Sequence, residues 1–266
     1  MPESSIMLGT RARRALQGPM DARSPRQPAP KASSRARRAR SEPAAQTKEG
    51  GASDLLYSSV YSELAQRFVM GRVQPGSTLS TRGLAAELGV SQMPVREALS
   101  RLAAEGAVEI RSKRKIAVPA MTAERFNDLL RCRVLLESEA ARAAFPFLNA
   151  ARLKLLRETD KGMGVAMRSG DVAAYMEGNY NFHFIIYRAQ PRRTLLQLIE
   201  TLWLQFGPYM RVVYGRFGTA NLVDQHRVAI ACIEAGDAEG LEKAIATDIS
   251  DGMGLIGVTG FEEDQA

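Results

Sequence analysis

The stretch LSTRGLAAELGVSQMPVREALSRLAAEG, residues 79–106, decides how the first part of this chain folds. It predicts two short helices joined by a tight turn at Gly89, with Ser80 as the N-cap of the first helix and Ser91 as the N-cap of the second. An apolar stripe at helical spacing marks the buried side of the second helix: Val95, Ala98, Leu99 and Leu102. This pattern is typical of a helix-turn-helix, in which the amino end of the second helix meets DNA bases.

The side chains that this stripe leaves outside are candidates for DNA contact. Gln92, Met93 and Arg96 fall at the N-terminal end of the second helix, next to Ser91. Because Gln can form paired hydrogen bonds to adenine whereas Arg prefers guanine, these residues bear directly on the base sequence that is read.

A two-stranded wing is predicted after this motif, from Val108–Ile110 and Ile116–Val118. Its turn holds three consecutive basic residues: Lys113, Arg114 and Lys115. A solvated basic turn is one interpretation. The position directly after a candidate recognition helix favours the other, which is contact with DNA phosphates.

Charge is distributed unevenly along the chain. Residues 1–50 carry eleven Lys and Arg against four Asp and Glu, and residues 51–120 carry nine against six. The first segment has few large apolar side chains, so we expect a disordered tail. A solvated tail, a non-specific nucleic-acid contact, an organelle transit peptide and a start codon placed too early all remain open for it.

Composition also bears on whether the chain spans a membrane and on the redox compartment in which it folds. No apolar run approaches the length that spans a membrane. Cys132 and Cys232 have no paired spacing, which suits a reducing compartment and buried structural thiols.

From Met121 onward the chain is predicted to be helical, because no useful length alternates with a period of two. Breaks delimit six segments: 122–145, 150–169, 171–189, 191–214, 219–235 and 237–255. The predicted fold is mainly α, with an N-terminal winged helix-turn-helix and a C-terminal all-helical bundle of six or seven helices. The expected regions are a basic tail (1–50), a DNA-binding domain (51–120), a helical effector-binding and dimerisation domain (121–256) and a C-terminal tail (257–266).

Four polar residues interrupt the apolar stripes of these helices: Asn179, His183, His226 and Asp248. Asn179 and His183 are i, i+4 neighbours and point the same way. His226 and Asp248 come level on two antiparallel helices that turn at Gly236–Asp237. Burying unpaired polar groups is costly, so these residues satisfy one another or a ligand. The set suits a divalent metal such as Zn²⁺, Ni²⁺ or Mn²⁺, with a hydrogen-bonded core network as the alternative.

Arg133 also lies in an inward-facing stripe. It can form paired hydrogen bonds to the carboxylate of a ligand. The alternative is an ion pair within the helix to Glu137, four residues on.

The chain resembles two known families. Over about 65 residues it is similar to the winged helix-turn-helix of GntR-family bacterial transcription regulators, on Leu79–Gly106 with its PVREAL core at Pro94–Leu99 and on the lead-in GRVQPGSTLS at Gly71–Ser80. From 122 to 255 it resembles the FCD ligand-binding domain of the FadR subgroup. That likeness rests on RVLLE (Arg133–Glu137), NYNFH (Asn179–His183) and the H…GD…D pattern of His226, Gly236–Asp237 and Asp248.

The resemblance implies a regulator, most often a repressor, that binds double-stranded operator DNA as a homodimer in the bacterial cytoplasm, on the nucleoid, and is not an enzyme. Arg82 and Arg96 match usual DNA contacts of the family. Arg133 matches an arginine that often contacts an organic-acid effector. Gln92 and Met93 depart from the usual Arg-Thr pair, so the operator is expected to differ.

The resemblance also implies a metal site, because many FCD domains hold a metal through one Asp and three His. His183 and His226 match two of those histidines. Asn179 stands where the Asp is usual, and Asp248 stands where the third His is usual, so one carboxylate is kept. AQPRR (Ala189–Arg193) replaces the usual SGN, which alters the effector pocket.

Two alternatives stay open at this point. One is a regulator with a metal-free pocket, as in acyl-CoA-binding relatives. The other is an enzyme that uses a two-His-one-carboxylate metal site.

Overall fold

The structure, a computed structural model, describes residues 49–112, 115–216 and 224–257, which belong to one compact unit. Several predicted features lie outside the described residues: the basic tail up to residue 48, Lys113 and Arg114 of the wing, residues 219–223 of the fifth predicted helical segment, and the C-terminal tail from residue 258.

The first part of the described chain is a winged helix-turn-helix. Its elements are α1 (Glu49–Val69), β1 (Thr78–Leu79), α2 (Thr81–Leu88), α3 (Gln92–Ala104), β2 (Glu109–Ser112) and β3 (Lys115–Ala117). The sheet is antiparallel in the order β1-β3-β2, with Leu79 opposite Ile116 and Ile110 also opposite Ile116. The wing hairpin therefore has a third strand, β1, which the sequence analysis did not predict.

Local sequence sets the ends of α2 and α3. The Ser80 hydroxyl accepts a hydrogen bond from the backbone N–H of Gly83 at 3.2 Å, as predicted for an N-cap, and Gly89 ends α2 with a left-handed φ of 65°. Ser91 stands at the N-cap position of α3, but its side chain makes no capping hydrogen bond, so that prediction is wrong in part. The predicted stripe is fully buried, since Val95, Ala98, Leu99 and Leu102 are at most 1% exposed.

The rest of the described chain is helical: α4 (Ala123–Ala144), α5 (Ala150–Ser169), α6 (Val172–Tyr187), α7 (Arg193–Arg216), α8 (Gln225–Ala235) and α9 (Ala238–Gly257). A 3-10 turn at Phe145–Phe147 follows α4. Gly170 and Gly236 end α5 and α8 with φ values of 71° and 77°, which is why the chain breaks where the sequence predicted. The mainly α fold is thus confirmed.

Among the residues that the structure describes, no helix is both long and apolar enough to cross a lipid bilayer.

One hydrophobic core runs through both halves of the described chain, from α1 and α3 to α9. The two halves meet where α7 packs on α1. A Cβ added at Gly207 of α7 would clash with the backbone carbonyl of Phe68 and lie 2.8 Å from the Cα of Val69. The absence of a side chain at residue 207 therefore sets how closely these helices approach.

Candidate functional site

The amino end of α3 presents the candidate base-reading residues to solvent. Gln92, Met93 and Arg96 are exposed, with Met93 at 57%, whereas Pro94 and Val95 between them are buried. The apolar side of the helix is therefore fixed in the core and its first turn faces outward. Contact of these residues with DNA stays a prediction.

Other predicted DNA contacts flank this helix. Ser91 is exposed just before α3, and Arg82 is exposed in the first turn of α2. Lys115 is exposed at the start of β3, which borders the part of the wing turn outside the described residues. The described members of the predicted DNA-binding set are thus all exposed to solvent.

The carboxyl end of α3 is held by the helical half of the chain. The Gln205 side-chain amide of α7 donates to the carbonyl of Glu105 at 3.0 Å. The guanidinium of Arg125 in α4 donates to the carbonyl of Gly106 at 3.0 Å and to the side-chain oxygen of Gln205 at 3.2 Å. Glu105 is the C-cap of α3, where a helix leaves its carbonyls without a partner inside the helix, and Gly106 follows it directly. The position of α3 therefore depends directly on α4 and α7.

Three of the four predicted metal ligands converge from three helices. His183 of α6, His226 of α8 and Asp248 of α9 each offer one ligand atom, and these atoms lie within 4.8 Å of one another. Nε2 of His183 is 3.1 Å from Oδ2 of Asp248, and Nε2 of His226 is 3.8 Å from Oδ1 of Asp248. Tetrahedral ligands of Zn²⁺ at about 2.0–2.1 Å from the metal are about 3.4 Å apart. The spacing therefore fits a divalent metal.

Two buried polar atoms on the predicted ligand residues support the same fit. Within the described chain, neither Oδ1 of Asn179 nor Nε2 of His226 has a hydrogen-bond partner, although both residues are buried. A buried acceptor without a partner costs about 1–3 kcal/mol, unless something else occupies the position that it faces. Asn179 lies one helical turn before His183 on α6, as predicted.

The electrostatics of the cluster favour a cation. Burial acts to raise the pKa of Asp248, but His226 and His183 outweigh it and hold that pKa at about 2. Burial lowers the pKa of His226 below its usual 6.5, so this imidazole is neutral at pH 7. A neutral imidazole and an ionised carboxylate are the forms that bind metal.

A chain of hydrogen bonds extends from His183 to α4. Nδ1 of His183 is 2.9 Å from the Tyr187 hydroxyl, which donates to Oε2 of Glu137 at 2.9 Å. The indole N–H of Trp203 donates to the same oxygen at 3.0 Å. Nε of Arg133 donates to Oε1 of Glu137 at 2.6 Å. Arg133 therefore forms the ion pair within α4 that the sequence analysis left open.

Sequence reasoning missed Tyr187 and Trp203 as members of this network. Tyr187 lies four residues after His183, so the helical spacing alone could have suggested the pair. Trp203 is 1% exposed and gave no signal beyond that of a core aromatic residue.

A small cavity lies beside the cluster. Its volume is about 20 Å³. It is lined by Arg133 and Asp248, together with Phe206, Met210, Ile249, Gly252 and Met253. That volume holds about one water molecule or ion and no organic acid. The predicted effector residue and a predicted metal ligand thus share one cavity, which in this conformation is closed to a metabolite.

A second cluster of acidic side chains lies beside Nδ1 of His226. Asp160, Asp224 and His226 also bring three potential ligand atoms within 4.8 Å. The guanidinium of Arg227 already lies between the two carboxylates, 3.6 Å from Asp160 and 3.1 Å from Asp224. This positive charge offsets part of the negative charge of the two carboxylates without a metal, so we place the candidate metal centre at Asp248.

An exposed recognition helix is thus joined to a helical bundle that contains a buried polar cluster. This combination is typical of one class of protein, the DNA-binding transcription regulators with an effector domain. Comparison with known families agrees with this class. Residues 56–118 match the bacterial regulatory proteins of the gntR family, and residues 128–251 match the FCD domain. The chain belongs to the GntR family of transcription regulators and carries an FCD effector domain.

Relatives with known sequences or structures are similar along most of their length. The HTH-type transcriptional regulator McbR of Escherichia coli K12 is 28% identical over 204 residues, which cover 76% of this chain and 92% of McbR. The solved structure of McbR matches with a TM-score of 0.71 and covers 76% of this chain and 96% of that chain. The 'Probable D-xylose utilization operon transcriptional repressor' of Paenarthrobacter nicotinovorans is 25% identical over 193 residues, which cover 73% of this chain and 85% of that protein.

Proposed function

We propose that the protein is a metabolite-responsive repressor that binds a pseudo-palindromic operator as a homodimer in the bacterial cytoplasm. The observation that carries the proposal is the outward-facing first turn of α3, with Gln92, Met93 and Arg96 exposed on a helix otherwise fixed in the core. Two such helices in one dimer fit successive major grooves. The name of the D-xylose operon relative supports repression as the direction of control.

The DNA-binding part of this proposal is tested with Arg96→Ala. We expect an affinity for an operator fragment about 10- to 100-fold weaker, which corresponds to the loss of one base contact of about 1–3 kcal/mol. Arg101→Ala is the matched control, because Arg101 is exposed on the same helix but lies near its carboxyl end. Fluorescence anisotropy at fixed salt measures both. Equal affinities for Arg96→Ala and the wild-type protein would contradict the assignment.

We further propose that a divalent metal, Zn²⁺, Ni²⁺ or Mn²⁺, binds between His183, His226 and Asp248, with Asn179 as a further ligand. The unpartnered Asn179 oxygen and the nitrogen of His226 support this set. When bound, the metal would offer a positive charge to an anionic effector. The protein's own residues supply the ligands and exclude bulk water from them.

Metal analysis of the purified protein tests this site. We expect about one ion per chain in the wild-type protein and none in His183→Ala. Adding zinc at 100 times its dissociation constant should stabilise the metal-free protein by about 2.7 kcal/mol. A wild-type protein that retains no metal and gains no thermal stability would support the alternative of a metal-free effector pocket.

The effector is proposed to be a small carboxylate bound by Arg133 beside the metal. Because the present cavity has room for about one water, a metabolite must separate α7 from α9 near Met210 and Met253. It would also share or replace the Glu137 carboxylate on Arg133. We therefore expect the bound protein to differ in the relative position of α7 and α9.

Helix α7 would transmit the effector signal to DNA. Phe206 and Met210 of α7 line the cavity, and Gln205 binds the end of α3. A ligand that favours the open cavity then shifts the population of α3 positions by its differential affinity. Melting shifts with candidate organic acids, repeated with Arg133→Gln, test for the ligand class.

A further inference from the structure

We propose that Tyr187 and Glu137 are positioning residues of the candidate metal centre, which keep a hydrogen on Nδ1 of His183 and so direct the lone pair of Nε2 at the metal. This inference rests on the metal site proposed above. Neither residue needs to touch the metal. Their role follows from the direction that each hydrogen bond in the buried network must take.

The direction is set at Glu137. This carboxylate is 0% exposed and lies in a ring of donors, with Arg133 on Oε1 and both Trp203 and Tyr187 on Oε2. An ionised carboxylate can only accept hydrogen bonds, and the indole nitrogen and the guanidinium can only donate. The Tyr187 hydroxyl must therefore donate its single hydrogen to Glu137.

The hydrogen on His183 then follows. With its hydrogen directed at Glu137, the Tyr187 oxygen can only accept from the imidazole at 2.9 Å. Nδ1 of His183 is consequently the donor, and Nε2 is the nitrogen left for a different partner.

Nε2 of His183 faces a carboxylate, since it lies 3.1 Å from Oδ2 of Asp248. A lone pair on this nitrogen would be repelled there, so the position suits either a hydrogen on Nε2 or a cation. A cation between the imidazole and the carboxylate turns both groups into ligands, and Nε2 of His226 lies on the same side of Asp248 at 3.8 Å. Partners on the far nitrogen of a ligating histidine fix its orientation in this way, and their loss costs about 10- to 100-fold in metal affinity.

The chain has only two histidines, which makes the hydrogen on His183 directly measurable. Nitrogen-15 NMR of the imidazole rings reports which nitrogen bears hydrogen, and His226→Gln identifies the His183 signals. In the wild-type protein we expect a hydrogen on Nδ1 both without metal and with zinc, with zinc on Nε2. This measurement needs no variant of the network to fold.

Tyr187→Phe tests the role itself, since it removes the hydroxyl and keeps the ring. We expect zinc to bind about 10- to 100-fold more weakly and the metal-free His183 ring to carry its hydrogen on Nε2, facing Asp248. Tyr180→Phe is the matched control. It removes a hydroxyl on the same helix that accepts from Arg188 at 2.8 Å, and it should leave both readouts unchanged.

The outcomes separate this inference from the proposal on which it rests. A wild-type protein that binds none of zinc, nickel and manganese refutes the metal centre. A wild-type protein that binds zinc while Nδ1 of His183 bears no hydrogen refutes the positioning role alone. Unchanged zinc affinity in a folded Tyr187→Phe protein refutes it as well.

Discussion

The close contact between α7 and α1 at Gly207 gives the sharpest prediction about how the two halves of the chain are joined. Gly207 lies inside α7, where glycine is normally unfavourable. A methyl group there would clash with the Phe68 carbonyl and lie 2.9 Å from the carbonyl oxygen of Val69. These are backbone atoms of α1, so no side chain can rotate away to make room.

Two opposing terms decide the effect of Gly207→Ala. The gain in helix propensity is about 1 kcal/mol. Forcing a methyl group into a packed contact costs about 1–3 kcal/mol, and rigid backbone on the other side places this contact at the upper end. We therefore expect a net loss of about 1–2 kcal/mol in the free energy of unfolding, which lowers Tm by about 2–8 °C for a protein of this size.

Gly162→Ala supplies the matched control. Gly162 is inside α5, and a Cβ there meets nothing within 4 Å, so only the propensity gain of about 1 kcal/mol should appear. Thermal unfolding followed by circular dichroism compares the two variants with the wild-type protein. If Gly207→Ala raised Tm as much as Gly162→Ala, the close packing of α7 on α1 would be refuted.

Two further predictions concern single side chains. Ser80→Ala should lower the free energy of unfolding by about 1 kcal/mol, because it removes a capping hydrogen bond. Ser91→Ala should lower it far less, because Ser91 makes no such bond. Urea unfolding measures both, and equal losses would contradict the assignment of the caps. Glu137→Ala should lower the free energy of unfolding by about 3–5 kcal/mol, since it removes the carboxylate that pairs with buried Arg133. Glu139→Ala should change the unfolding midpoint little, because solvent screens its pairs with Arg142 and Arg192. A similar loss in both glutamate variants would refute the special role of Glu137.

Sequence predicted most of the fold because its signals are local. The stripe of α3 and the glycines that end α5 and α8 are set by neighbours within one or two turns, and the described structure follows them. The strand β1 is different. Thr78–Leu79 is only two residues long, too short for an alternating pattern, and its pairing partner is the distant β3.

The sequence could predict only those residues of the candidate site that interrupt an apolar stripe with a polar side chain. His183, His226 and Asp248 do so, and the structure brings them together. Tyr187 and Trp203 fit an apolar stripe as well as any aromatic residue, so their polar roles depend on distances between helices. The size of the cavity depends on such distances too. No spacing along the chain encodes them.

Three successive residues of α7 connect the two halves of the described chain. Gln205 binds the end of α3, Phe206 lines the cavity beside the candidate metal centre, and Gly207 packs on the backbone of α1. Successive side chains on a helix point about 100° apart, so one turn of α7 serves three different partners. A shift of α7 that opens the cavity for a ligand must therefore also change the contact with α1 or the hydrogen bond to α3. Since packed interfaces favour discrete arrangements over gradual deformation, the expected response of the recognition helix is a switch between two positions.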